Sequence, residues 1–236
     1  MSDPVPPTAE AGTILLVDKP RGWTSFMVVR KVRYLLSGVK AGHGGTLDPL
    51  ATGLLVLATG PRTRDLMQIT GYDKEYTGTL ELGRRTTTFD LEGTVVSEQP
   101  VPTLTNEEVH AAFSAFVGEI EQMPPMFSAA KVRGKPLYRY ARKGRVVERK
   151  PRGVIVSEFA PTAVRLPEIE FRVRCSKGTY IRTLVDDLGS RLGCGAVLTV
   201  LRRTQVGPFH VSDAFTIEEL EQRLAPASAA AVEAAS

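Results

Sequence analysis

Twelve residues, Gly42-His43-Gly44-Gly45-Thr46-Leu47-Asp48-Pro49-Leu50-Ala51-Thr52-Gly53, restrict this chain more than any other stretch. Their four glycines permit sharp turns and the close approach of another molecule. Pro49 fixes its own φ and keeps Asp48 out of helical geometry. The apolar run Leu54-Leu55-Val56-Leu57-Ala58 follows directly and reads as a buried strand. A glycine-rich loop feeding such a strand can hold one side chain, here Asp48, rigidly at the floor of a cleft. An Asp-Pro turn padded with glycine is an equal alternative on these residues alone.

Other chemistries can be set aside. The chain has no phosphate loop and no Gly-x-Gly-x-x-Gly fingerprint. It also lacks a Gly-x-Ser-x-Gly elbow. Its histidines, His43, His110 and His210, are far apart and not set among carboxylates, so no metal site is expected. Cys175 and Cys194 are the only cysteines, which excludes a disulfide framework and predicts buried free thiols. Asp90, Asp186 and Asp187 could partner Asp48 in a two-carboxylate site, but nothing in their spacing pairs them with it. What remains is one carboxylate in an apolar, glycine-rich setting with no cofactor signal. No apolar run approaches the roughly 20 residues of a membrane span. The Pro- and Ala-rich stretch Met1–Gly12 is no signal peptide, so the expected compartment is the cytoplasm.

Charge is distributed unevenly. Between Lys131 and Arg152 stand ten basic residues: Lys131, Arg133, Lys135, Arg139, Arg142, Lys143, Arg145, Arg149, Lys150 and Arg152. Glu148 is the only acid among them, so this arm carries +9. The whole chain carries +4, which leaves −5 for the remainder. A mildly acidic body with one strongly basic arm suggests a polyanionic partner. A solvated charged face is the plainer alternative. Tyr138 and Tyr140, interleaved with the arginines, favour RNA or single-stranded nucleic acid.

The 236 residues suit one large domain or two small ones. Residues 1–12 and 225–236 are expected to be disordered, with the folded part over 13–224 and the basic insertion at about 131–152. Phe26, Val29, Val32 and Leu36 predict a helix begun by Thr24 or Ser25. Thr105-x-x-Glu108 is a capping box opening another helix. Lys74–Leu82 and Ile169–Cys175 alternate as half-buried strands. Ile181, Leu184, Val185 and Leu188 form the apolar stripe of a helix following Gly178. Strands outnumber helices and often follow one another directly. The expected fold is α+β, with a mixed, mostly antiparallel central sheet flanked by helices.

Three long motifs occur in order: Lys19-Pro-x-Gly-x-Thr-Ser25, then Gly42-His-x-Gly-Thr-Leu-Asp-Pro-x-Ala-x-Gly53, then Cys175-Ser-Lys-Gly-Thr-Tyr-Ile-Arg-Thr-Leu184. Asp187-Leu-Gly189, Leu192-Gly-Cys-Gly-Ala196 and Leu201-Arg-Arg203 accompany them. From about Ile14 to His210 the chain resembles the bacterial TruB-type tRNA pseudouridine-55 synthases. The resemblance implies isomerisation of one uridine in the tRNA T-loop, without metal, ATP or redox cofactor. It places the catalytic role on Asp48. By position His43 borders the flipped nucleotide, Tyr76 stacks on the target base, and Tyr180 and Leu201 line the pocket. Arg182 pairs with the catalytic aspartate. Each has a plainer alternative: a histidine satisfied within its loop, a half-buried strand tyrosine, core side chains, and an i,i+4 partner of Asp186. Lys19 is expected to be structural, and Gly44 to loosen the loop around His43.

The basic arm matches the RNA-gripping insertion of the bacterial enzymes. Many relatives carry a further C-terminal RNA-binding domain, often of the PUA type. Only about 25 residues follow His210 here, so none is expected. Guide-RNA-directed relatives show the opposite pattern, with a PUA domain and no basic insertion. The implied partner is therefore the T-arm of tRNA, with no guide RNA and no membrane, bound by a monomer. An RNA-binding or RNA-folding factor with secondary catalysis is the competing reading, although binding alone does not require Asp48, Tyr76 and Arg182.

Overall fold

The structure, a computed structural model, describes residues 12–132 and 134–224. The termini expected to be disordered lie outside these residues, except Gly12, as does Arg133 of the arm. The chain divides into two compact units, one built from its first 72 residues with those from Arg202 onward, the other from Asp73–Leu201.

The first unit contains β1 (Ile14–Lys19), α1 (Ser25–Leu35), β2 (Ala41–His43), β3 (Thr52–Thr59) and, after a 3-10 turn, α2 (Leu66–Gly71). β3 pairs antiparallel with β1, from Ile14↔Ala58 to Lys19↔Gly53, and with β2. Every residue from Gly53 to Thr59 is buried. Leu55 and Leu57 pack with Val28, Val29 and Val32 of α1, whereas Leu54 and Val56 pack with Ile69 and Val206. Both faces of β3 are thus covered, which is why its sequence is a continuous apolar run rather than an alternation. Each such side chain contributes roughly 1.5–3 kcal/mol on burial.

The second unit begins with β4 (Lys74–Leu82) and a hairpin of β5 (Arg84–Thr86) and β6 (Val95–Glu98). Next come α3 (Asn106–Ser114) and β7 (Gly118–Gln122). The basic arm follows as a short hairpin, β8 (Lys131–Val132) with β9 (Lys135–Pro136), and α4 (Leu137–Ala141). β10 (Arg152–Arg165), β11 (Glu168–Cys175) and α5 (Ile181–Arg191) complete its main elements. The strand order is β4-β11-β10-β7, with every pairing antiparallel. Ile169, Phe171, Val173 and Cys175 are buried while the residues between them are exposed, as the alternation predicts. Phe113, on the apolar face of α3, meets Phe159 and Phe171 at centroid distances of 4.4 and 6.5 Å.

β12 (Ala196–Val206) supplies strand residues to each unit. In the second, Thr199 donates to the Thr79 carbonyl on β4. In the first, Arg202 and Arg203 run parallel to Thr52 and Gly53 of β3. β13 (Phe209–His210) turns back on β12, and α6 (Ile217–Leu224) packs Ile217 and Leu220 into the α1 core. The chain is α+β, with mostly antiparallel strands flanked by helices.

Candidate active site

The loop carrying Asp48 is held from two directions. From the first motif, Gly22 N–H donates to the Pro49 carbonyl at 2.8 Å. Lys19, fully buried, extends Nζ to the carbonyls of Trp23 (2.7 Å), Pro20 (3.0 Å) and Pro49 (3.4 Å). A buried ammonium is tolerated only with such partners, so the structural role expected for Lys19 holds. Thr24 caps α1 through Met27 N–H. The neighbouring Ser25 Oγ instead accepts from Leu47 N–H (2.8 Å) and donates to the Leu47 carbonyl (3.1 Å). Asp48, flanked by buried Leu47, Leu50 and Ala51, is itself half-buried.

From the other side comes Arg203, which is 1% exposed. Its guanidinium donates to the carbonyls of Leu54 (2.7 Å), Gly45 (3.1 Å) and Thr46 (3.4 Å). The strand beside it must be Gly53: φ is +97° and a Cβ there would stand 2.3 Å from the Arg203 carbonyl oxygen. Arg203 stands in the Leu201-Arg-Arg203 motif, but its residue type alone assigns it no role.

His43 closes β2, and its Nδ1 accepts from Gly45 N–H at 3.3 Å. Burial, and secondly the Arg203 charge, push its pKa below the ordinary histidine value. The imidazole is thus neutral at pH 7, with its proton on Nε2. Gly44 does not loosen this loop. It is buried, its N–H donates to the Val56 carbonyl at 2.8 Å, and an added Cβ would lie 2.3 Å from Ile69 Cγ2. Here glycine permits a close approach to a buried side chain.

The second unit places the remaining candidates on β4, β12 and the start of α5. Tyr76 and Leu201 are buried and Tyr180 is half-buried. Tyr180 precedes α5 and is fixed by Gln122 of β7. Tyr180 N–H donates to Gln122 Oε1 (2.7 Å), and Gln122 Nε2 donates to the Tyr180 carbonyl (3.0 Å). Gln122 is a buried positioning residue that the sequence did not flag. Arg182, also buried, donates to the carbonyls of Thr88 and Phe127, both at 2.8 Å, and lies 3.4 Å from Asp90 Oδ2. Asp90 in turn accepts from Thr88 Oγ1 and from Glu92 N–H. Asp186, the expected i,i+4 alternative for Arg182, is bound bidentately by Arg85 at 2.7 Å.

Phe127 lies at the root of the basic arm. The arm is anchored by buried Leu137, whose N–H meets the Ala130 carbonyl, and by Tyr138 N–H on the Ser128 carbonyl. Arg149, half-buried, donates to the Pro124 carbonyl. Lys131, Lys135, Arg139, Arg142, Lys143, Arg145, Lys150 and Arg152 are exposed. The Arg142 guanidinium sits 5.5 Å from the Tyr138 ring centre, a stacking geometry. A cavity of about 540 Å³ opens between the arm's hairpin and its return strand. Among the described residues no group of three or more His, Cys, Asp or Glu side chains is arranged to hold a metal ion. No helix among them is long and apolar enough to cross a membrane.

Comparison with known proteins decides the family. Residues 33–181 match the model of the N-terminal domain of TruB family pseudouridylate synthases. The chain belongs to the TruB family.

Residues 182–234 match the model of the tRNA pseudouridylate synthase B C-terminal domain. The tRNA pseudouridine synthase B of Opitutus terrae is 48% identical over 235 residues, covering 96% of this chain and 98% of that protein. Its counterpart in Stutzerimonas stutzeri is 49% identical, covering 94% of this chain and 72% of its own length. Among solved structures, a chain in the Cbf5–Nop10–Gar1 complex matches with a TM-score of 0.70 at 30% identity. A chain of an H/ACA ribonucleoprotein bound to a substrate RNA containing 2′-deoxyuridine matches at 0.66 and 28%. This TruB-family chain spans about half the length of those two. As a pseudouridylate synthase it is an isomerase: the atoms of uridine are rearranged, none added.

Proposed function

We propose that this enzyme converts the uridine at position 55, in the T-loop of tRNA, to pseudouridine, with Asp48 as the reactive carboxylate. The N1–C1′ bond breaks, uracil turns, and C5 joins C1′. The C5 proton leaves to solvent and N1 gains one, so the reaction balances without a cofactor. The target base must leave its stack to be reached. Asp48 then acts on the nucleotide as nucleophile or base. The observation that carries this reading is the immobilised Asp48 loop, where two buried cations and Ser25 hold the backbone on both sides of the carboxylate. Fixing a reacting group in place before substrate arrives lowers the barrier to its reaction.

From the family resemblance, Arg182 is the residue that orients the carboxylate. Tyr76 stacks on the target base, neutral His43 borders the extruded nucleotide, and Tyr180 and Leu201 line the pocket. The exposed cations of the arm meet phosphates, which makes affinity salt-dependent. The enzyme works as a cytoplasmic monomer on free tRNA without a guide RNA. The bacterial tRNA pseudouridine synthase B relatives support tRNA as the substrate.

The test uses tRNA tritiated at uracil C5. Wild type releases tritium as pseudouridine forms. Asp48→Asn releases none, yet retains tRNA on a filter nearly as well. Equal release from both proteins removes Asp48 from the chemistry, and release from a T-loop lacking U55 removes the position.

A further inference from the structure

The basic arm is not the only cationic stretch. Residues 21–40 contain Arg21, Arg30, Lys31, Arg33 and Lys40 and no acid. The chain outside the arm sums to −5 with these five cations and to −10 without them. A +5 stretch in so acidic a body is not the average surface, and the fold gathers its centre on one helix.

Phe26, Arg30, Arg33, Tyr34 and Ser37 recur at i, i+4, i+7, i+8 and i+11, one face of α1 continued into its C-terminal turn. The opposite face, Val28, Val29 and Val32, is buried in the core. On the outer face Phe26 is 68% and Tyr34 79% exposed, beside exposed Arg30 and Arg33. Arg30, Arg33, Tyr34, Ser37 and Gly38 line a shallow depression of about 400 Å³. Lys31 is differently employed, paired with Glu221 of α6 and set 5.9 Å from the Tyr34 ring centre. The outward charge therefore rests on the two arginines. One cation near a helix C-terminus is explained by the helix dipole. Two exposed arginines flanked by two exposed aromatic rings are not.

We propose that this outer face of α1 is a second RNA-contact surface, in which Arg30 and Arg33 meet phosphates of the substrate and Tyr34 stacks on an unpaired base. The inference rests on RNA being the substrate. Charge complementarity selects the occupant, since a polyanion meets the two outward arginines of this face and is repelled by the acidic body outside the two basic stretches. Arginine interleaved with aromatic rings is the composition that grips splayed RNA. Phe26 and Tyr34 are about 12 Å apart along the helix, which leaves room for backbone contacts between them.

The test compares the full-length protein with Arg30→Ala/Arg33→Ala, Arg30→Lys/Arg33→Lys and Tyr34→Ala, using a tRNA transcript and binding titrations from 50 to 200 mM salt. Loss of two phosphate contacts reduces the salt-dependent fall in affinity over that range by about 7- to 12-fold. The alanine pair shows this flattening, and the lysine pair restores the wild-type slope. Tyr34→Ala weakens binding by roughly five-fold or more at every salt concentration with the slope unchanged. Thermal melts matching wild type show that the fold is intact. Arg142→Ala/Lys143→Ala/Arg145→Ala runs beside them as the arm control. If the arm variant flattens the slope and the α1 alanine pair does not, the α1 surface is overturned while the RNA reading stands. If wild type itself does not bind the transcript, the RNA reading is what fails. If the alanine pair keeps its RNA affinity but loses a protein partner, the face belongs to protein contact and the proposal falls.

Discussion

Arg203→Met is the sharpest probe of how the Asp48 loop is held. Methionine keeps most of the aliphatic packing and removes three donors. The bond to the Leu54 carbonyl, at 2.7 Å, lies in the core, where water cannot replace the guanidinium. A charge-assisted bond of this kind is worth about 1.5–3 kcal/mol. The contacts to Gly45 and Thr46, at 3.1 and 3.4 Å, end on a partly accessible loop. Rehydration there limits the loss to about 0.5–1 kcal/mol each. The sum is about 2.5–5 kcal/mol, to be read from urea unfolding followed by the fluorescence of Trp23, the only tryptophan, which lies in the same unit. A second readout is electrostatic. The Arg203 charge is the second cause of the low His43 pKa, after burial. In Arg203→Met the His43 titration, followed by NMR, moves upward while remaining below the ordinary value. Arg203→Lys keeps a cation but cannot span three carbonyls, so it preserves the His43 shift and loses most of the stability. In both variants tritium release slows, chiefly through kcat, because the loop and not the RNA grip is disturbed. A stability loss under about 1 kcal/mol, or an unmoved His43 titration in the methionine variant, refutes the clamp.

Two further outcomes follow from the same loop. With its folded pKa lowered below the ordinary value, His43 makes the protein less stable as pH falls. Below about 6.5 the unfolded chain takes up a proton that the folded chain refuses. The penalty grows down to the folded pKa and is absent above that window. Stability curves of His43→Gln are flatter there, and parallel curves for the two proteins would count against the buried neutral imidazole. Gly44→Ala drives a methyl group into Ile69, 4% exposed, and costs about 1–3 kcal/mol by overpacking. Combining it with Ile69→Ala recovers part of that cost, whereas strictly additive losses would show that the two sites do not touch.

The elements visible in the sequence are those whose burial repeats at a fixed period. β11 alternates because one face is covered, β3 is continuously apolar because both are, and Thr105 with Glu108 forms both halves of its capping box. β7 was invisible for the same reason in reverse. Gly118–Gln122 has Ile120 as its one apolar side chain, and its one buried residue is the polar Gln122. Periodicity reports which face is buried and never which partner covers it. Arg182 illustrates the limit: Asp186 stands at the right helical spacing, yet that carboxylate is taken by Arg85, 101 residues away.

The Asp48 loop extends the argument, because the groups that hold it are of two kinds. The donors, Lys19, Ser25 and Arg203, are side chains within motifs and so could be singled out as residues. The acceptors are the carbonyls of Pro49, Leu47, Gly45, Thr46 and Leu54. Every residue carries a carbonyl, so no residue type marks these five. A buried lysine or arginine beside a glycine-rich loop therefore signals that a backbone is being gripped without saying where. Only the fold, by laying Arg203 parallel to Gly53 and Lys19 opposite it on β1, turns that signal into a site.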